Sequence, residues 1–182
     1  TFACTSFFPA KPLGCFGDGG AVFTSDDSFA EKMKSLRLHG QTERYHHKYI
    51  GMGGRLDTLQ AAVLNVKLNH YQNDIERRQR VADKYILLLN NTVKIPTILT
   101  ENSSVWAQFS IRVKNRPEII LKLKEAGIPT AVHYPKPLHL QECFEYLNYK
   151  LGNFPVAETI SNEILSLPMN PYLNIEEQEY IS

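Results

Sequence analysis

The sequence is short of three things, and each shortage excludes a class of protein. It has few cysteines: Cys4, Cys15 and Cys143 are the only three in 182 residues. They form no C-x-x-C pair and their number is odd, so no disulfide framework is expected. It has almost no charge imbalance, with 20 Lys and Arg against 19 Asp and Glu. A nucleic-acid footprint needs a basic excess gathered on one face, so no nucleic-acid partner is expected. It also has no apolar run near the ~20 residues that cross a bilayer, and no charged-then-apolar opening of the signal-peptide kind. No membrane partner is expected, and a cytoplasmic location is. What is present is ordinary: 43% hydrophobic and 21% charged residues, the balance of a globular α/β chain.

Periodicity and turn residues divide the chain into two regions. Residues 1–8 and 21–24 read as strands. Ser25-Asp26-Asp27 caps a helix that carries Phe29, Met33 and Leu36 on one face and stops at Gly40. A polar loop rich in His and Gly fills residues 41–54. Asp57 and Gln60 then read as a capping-box pair, and Leu59, Val63 and Val66 repeat at helical spacing. That pattern runs to about Leu89, where Asn90-Asn91 ends it. So long a helix predicts either a bend near residues 69–73 or a rod that bridges two domains. Beyond Pro96 the character turns to α+β. Strands are expected over 105–113, 130–134 and 164–167, and helices over 116–126, ended by Gly127, and 154–165. The expected domains are therefore 1–90 and 91–182. The chain opens inside a β-leaning stretch and closes on what read as the first turns of a helix, so a piece of a longer protein is expected.

The most unusual segment is Ser6-Phe7-Phe8-Pro9-Ala10-Lys11-Pro12-Leu13-Gly14-Cys15-Phe16-Gly17-Asp18-Gly19-Gly20. A lysine sits in a turn between two apolar strands, flanked by prolines that fix φ and by glycines that permit close approach. It departs from the P-loop, because no Lys-Ser/Thr follows the glycines, and from the dinucleotide fingerprint, because no helix opens after it. By residue type alone two readings stay open. Lys11 is an ordinary solvated turn lysine, or it is an amine made nucleophilic toward an aldehyde by desolvation. The pair His46-His47, with His39 nearby, has no carboxylate or cysteine at ligand spacing, so no metal site is expected.

This segment resembles the lysine region of the DegT/DnrJ/EryC1/StrS family of sugar aminotransferases, whose pattern is S-F-x-x-x-K-x-L-G-x-x-G-D-G-G. Two further segments are similar to the same family and stand in the same order. One runs through Arg37-Leu38-His39-Gly40 and Arg44-Tyr45-His46-His47 to Gly51-Met52-Gly53-Gly54-Arg55-Leu56-Asp57. The other is Val132-His133-Tyr134-Pro135-Lys136-Pro137-Leu138-His139. The resemblance implies the C-terminal part of a fold-type-I transferase dependent on pyridoxal phosphate. Residues 1–90 would be the end of the large cofactor domain plus a bridging helix, and 91–182 the small α+β domain. It implies that Lys11 is the Schiff-base lysine and the proton carrier, and that Ser6 hydrogen-bonds the cofactor phosphate. Arg55 would face the active site of the neighbouring subunit, as a substrate-binding residue there, and His133 and Tyr134 would lie near the sugar. The implied partners are a nucleotide-linked keto sugar and L-glutamate, with a homodimer as the working unit. The sequence most resembles the branch that aminates 3-keto sugars such as UDP-linked 3-keto-glucuronic acid derivatives.

Two departures shape the expectation. Gly53 stands where the family usually carries an asparagine that reaches the cofactor phosphate across the dimer, and only a backbone N–H is left there to replace it. The family's aspartate for the pyridinium nitrogen, its ring-stacking residue and its phosphate loop lie upstream of the matched segments, and this chain has none of them. By itself the chain is therefore expected to be inactive. The competing expectations are a truncated fragment that keeps only the fold, and a sugar-nucleotide-binding relative that has lost transamination.

Overall fold

A computed structural model describes residues 1–182. The chain separates into two compact units, Thr1–Gln72 and Asn73–Ser182. No helix is long and apolar enough to cross a membrane.

In the first unit, β1 (Phe2–Ser6) and β2 (Gly20–Thr24) form an antiparallel pair with Phe2 opposite Thr24 and Ser6 opposite Gly20. Helix α1 (Asp27–Leu36) starts where expected. The Asp26 carboxylate accepts the N–H groups of Ser28 and Phe29, satisfying donors that the first turn leaves free. Its apolar face is only partly covered, with Met33 half-buried and Phe29 exposed. The loop over residues 41–54 contains a small hairpin, β3 (Gln41–Glu43) with β4 (His46–His47). Gly40 makes its entry possible. It has φ +76°, and a Cβ there would run into the Tyr49 carbonyl.

Helix α2 (Thr58–Leu89) is 32 residues long and continuous. It does not break at residues 69–73, and the boundary between the units falls within it. Its start differs from expectation. The Gln60 side chain does not close a capping box with Asp57; its Oε1 accepts the Phe16 N–H at 2.8 Å instead. The face of Leu59 and Val66 is also not covered in this chain, since both are exposed while Leu64 is buried. Here a tertiary hydrogen bond outcompetes the local one that the i, i+3 spacing suggests.

The second unit has a closed core. β5 (Phe109–Arg112) and β6 (Ile164–Leu167) pair antiparallel, with single bridges Lys94–Arg112 and Ala131–Ser166 on their outer sides. The strand expected over 105–113 is shortened because Trp106 takes φ +47°, and the one expected over 130–134 reduces to the bridge at Ala131. Helix α3 (Arg116–Glu125) is followed by Gly127 at φ +74°, as a left-handed stop requires. Helices α4 (Pro155–Glu163) and α5 (Ile175–Ile181) follow, the latter opened by an Asn174–Glu177 capping box. The C-terminal turns of α2 lay Val81, Ala82, Tyr85 and Leu89 against Trp106, Phe109, Leu165 and Leu167. The Phe109 ring lies 5.0 Å from Tyr85 and 5.6 Å from Trp106, centroid to centroid. Polar atoms in this core are matched. Tyr85 Oη donates to Pro168 O, Trp106 Nε1 to Gln79 Oε1, and Gln178 Nε2 to Val81 O. Burial, with a smaller effect from the Glu177 charge, raises the Tyr85 phenol, so it stays a donor.

Candidate active site

Four of the residues singled out by sequence, Ser6, Lys11, Gly53 and Arg55, lie in the first unit; His133 and Tyr134 lie in the second. The Lys11 turn is closed by backbone. Phe7 N donates to Gly19 O and Cys15 N to Phe7 O, both at 2.8 Å, and Lys11 N donates to Phe8 O inside the loop. The fully buried Cys15 adds its thiol, 2.9 Å from both Phe7 O and Gly17 O. Gly14 is required by contact, because a Cβ would sit 2.7 Å from the carbonyl oxygens of Phe8 and Pro9. Helix α2 grips the far side. Gln60 takes the Phe16 N–H, while Lys67 donates to Gly14 O and places its ammonium 4.8 Å above the Phe16 ring.

The turn is thus firmly built but not buried. Lys11 is exposed, and its backbone is tied down while its amine is left without a hydrogen bond or ion pair. Desolvation of the amine, one of the two sequence readings, is not supplied by this chain. Ser6 Oγ accepts the Phe8 N–H at 3.2 Å, which leaves its own O–H free to donate. Gly53 faces Leu38 in an antiparallel bridge flanked by His39 N to Met52 O and Gly54 N to Arg37 O. In such a non-hydrogen-bonded pair the Gly53 N–H points away from its partner strand. A side chain at Gly53 would meet the His39 ring at 3.2 Å. Arg55 is exposed ahead of α2. His47 has its Nδ1 2.9 Å from His39 O and its Nε2 3.5 Å from Gln41 Nε2, and no three potential metal ligands gather anywhere in the chain.

In the second unit His133 is half-buried, with Nδ1 3.0 Å from Ser166 Oγ. Tyr134 is exposed and meets the His133 ring edge-on at 5.6 Å. Tyr134 also lies at the rim of a groove of about 770 Å³ lined by Lys136, Leu138, His139, Phe154 and Ile160. Two residues of this region were given no role from sequence, although His139 closes the third matched segment. His139 Nε2 and Glu158 Oε1 form a 2.9 Å pair with both side chains nearly buried, and Glu158 also accepts the N–H groups of Gly152 and Phe154. Burial acts to raise the Glu158 carboxyl, but those N–H donors and His139 together hold it below the usual range. A His and a Glu 19 residues apart carry no local signal that they will meet.

The fold places the chain among the pyridoxal-phosphate-dependent transferases of fold type I, as their C-terminal part. Residues 1–182 match the DegT/DnrJ/EryC1/StrS aminotransferase family throughout, and the chain belongs to that family. It is 49% identical, over 96% of its length and 48% of the relative's, to UDP-2-acetamido-2-deoxy-3-oxo-D-glucuronate aminotransferase of Pseudomonas aeruginosa. A crystal structure of a DegT DnrJ EryC1 StrS aminotransferase from Brucella abortus superposes with TM-score 0.92 at 44% identity, covering 99% of this chain and 48% of that one. NtdA of Bacillus subtilis, solved with bound cofactor PMP, gives TM-score 0.86 at 28% identity over 99% and 44%. The chain spans about half the length of the relatives it matches.

Pyridoxal phosphate is the cofactor of this family. The residues present fit its anchoring end. Lys11 offers an amine without a competing partner on a rigid turn, and Ser6 offers a free O–H at the base of that turn.

Proposed function

We propose that this chain is the C-terminal half of a pyridoxal-phosphate aminotransferase that transfers an amino group from L-glutamate to a nucleotide-linked 3-keto sugar. The observation that supports it most is the Lys11 turn, whose closed backbone holds an unpartnered amine outward on a scaffold shared with sugar aminotransferases. The 49% identity to an enzyme named for a UDP-linked 3-oxo sugar acid favours that substrate class. On this reading residues 1–90 are the end of the large domain with its bridging helix, and 91–182 are the small domain. The working unit is a cytoplasmic homodimer in surface-polysaccharide or related sugar biosynthesis.

Bound pyridoxal phosphate supplies an electron-withdrawing ring that makes a neighbouring C–H acidic. Lys11 Nζ would hold the group covalently at rest and, once its amine is released, would carry the proton to the sugar carbon that receives the nitrogen. Ser6 Oγ would donate to a phosphate oxygen, and the outward N–H of Gly53 would do so across the dimer, in the neighbouring subunit's site. The Arg55 guanidinium would pair with a carboxylate or phosphate in the neighbouring subunit's site, and His133 and Tyr134 would contact the sugar.

The exposure of Lys11 favours a second statement: this chain alone keeps the fold without the turnover, because nothing in it buries the amine or holds the cofactor ring. Titrating the 182-residue protein with pyridoxal phosphate tests both. A weak visible absorption band that disappears in Lys11→Ala, with no amino transfer to a keto sugar nucleotide, is the expected result. A band that survives Lys11→Ala would remove Lys11 as the anchor. Full turnover by the chain alone would overturn the claim that half the machinery lies elsewhere.

A further inference from the structure

Lys11 stands midway along the excursion 8–14, whose neck is closed by the Cys15 N–H on Phe7 O. The outward arm is fixed through Ser6, which pairs with Gly20 in the β1–β2 sheet and whose Oγ accepts the Phe8 N–H. Pro9 and Pro12 have no N–H to contribute, and the Lys11 N–H turns inward to Phe8 O. The return arm is held from outside, by helix α2. Lys67 Nζ donates to Gly14 O, and Gln60 Oε1 accepts the Phe16 N–H at 2.8 Å just beyond the neck. Of side chains outside the excursion, only Ser6 and Lys67 bond its backbone.

Gln60, Leu64 and Lys67 stand at i, i+4 and i+7, on one face of α2, and Leu64 between the two polar groups is buried. The placement of Lys67 is the unusual part. The residue is half-buried and its ammonium forms no ion pair; the Gly14 carbonyl and the Phe16 ring, at 4.8 Å, meet its charge instead. A lysine gives up hydration to lie there, whereas an ordinary helix-face lysine stays in water. The contact carries through to the tip. Gly14 lies so close to the carbonyls of Phe8 and Pro9 that a Cβ would stand 2.7 Å from both oxygens. Phe8 O is in turn the acceptor of the Lys11 N–H, so fixing Gly14 fixes the peptide on which Lys11 rests. We infer that Gln60 and Lys67 are positioning residues that set the Lys11 amine at a fixed span from the Ser6 hydroxyl, so that one ligand can meet both. The inference rests on the reading that Lys11 and Ser6 take the aldehyde and phosphate ends of pyridoxal phosphate. Its physical basis is preorganisation, since a loop already ordered loses less freedom when a ligand bridges its tip and its base.

Pyridoxal and pyridoxal phosphate, each titrated into the 182-residue protein and followed by the absorption band that Lys11→Ala abolishes, measure this span. Pyridoxal needs the amine alone, whereas the phosphate ester needs both ends. Gln60→Ala and Lys67→Met keep good helix formers in α2. In both, the preference for the phosphate ester should fall by about tenfold, the effect of losing one hydrogen bond to a charged group. The affinity for pyridoxal should stay near its original value. Lys67→Arg, which can still donate to Gly14 O and lie over Phe16, should restore the preference. Gly40→Ala strains the same unit away from the turn and reports what lost stability alone does. A preference unchanged in either clip variant, or lowered as far in Gly40→Ala, overturns the inference. Failure of the cofactor reading is separable. The band would then survive Lys11→Ala, while amide hydrogen exchange at Lys11 and Cys15 would still quicken in both clip variants.

Discussion

The two compact units are built on different principles. In Thr1–Gln72 the buried apolar side chains are Cys15 and Leu64, while Phe2, Phe16, Phe23, Ile50 and Leu59 are more than half exposed. What orders this unit is a set of backbone and polar clips around glycines: the Phe7–Gly19 closure, the Cys15 thiol, Gln60 on Phe16 and Lys67 on Gly14. In Asn73–Ser182 ten buried residues share one cluster, and its polar atoms are matched inside it. The lesson concerns where chemistry is placed. The lysine turn is rigid because its backbone is hydrogen-bonded, not because it is packed, so the amine at its tip stays free. The histidine at Ser166 is rigid because it leans on a packed strand.

If that contrast is right, cutting the core should damage the second unit most. Phe109→Ala removes a ring with no exposure that touches both Tyr85 and Trp106. The expected loss is about 3–5 kcal/mol, read from denaturant unfolding followed by fluorescence of Trp106, the only tryptophan. A loss below 1 kcal/mol, on the order of an exposed substitution, would mean that the cluster is not a cooperative core.

In the first unit a single added methyl at a clip should matter more than a lost apolar side chain. Gly40→Ala forces a left-handed backbone on alanine and drives its Cβ into the Tyr49 carbonyl. The strain is expected to cost about 1–3 kcal/mol and to raise amide hydrogen exchange at Lys48 and Tyr49, whose N–H groups bond Gly40 O. Leu59→Ala, at an exposed position, should leave that exchange alone. Equal effects from both would erase the distinction between a clipped unit and a packed one.

The smallest effect sharpens the comparison through pH. Glu158 is held below the ordinary carboxylate range in the folded state. Its contribution to stability is therefore fully present above the pKa of an unfolded glutamate and is lost as pH falls through the lower folded value. The stability difference between the protein and Glu158→Gln should be constant near neutrality and shrink on the acid side. A difference that stays flat through the carboxylate range would show that the ionised Glu158 carboxylate, which accepts from Gly152 and Phe154, is not what ties that segment to α4.

Much of this was legible in the residues. The Asp26 cap, Gly127 as the stop of α3, α5 and the strand at Ile164–Leu167 all lie where local pattern puts them, because each depends on neighbours within a few positions. The three ordered motifs carried the family. What was misread shares one cause. Gln60 looked like half of a capping box, yet its partner is 44 residues away. Leu59 and Val66 looked like a core face by spacing, which reports which residues share a side but not what that side meets.

By itself, then, the sequence set most of the element types through short-range patterns of proline, glycine and apolar spacing, and the family through its resemblance in three ordered motifs. Only the tertiary structure decided that Lys11 stands exposed on a closed loop, and that Ser110 and Ser166, separated by 56 residues, line up behind His133. Strand pairing brings such residues together through register between distant segments, and nothing in either segment alone specifies the partner opposite.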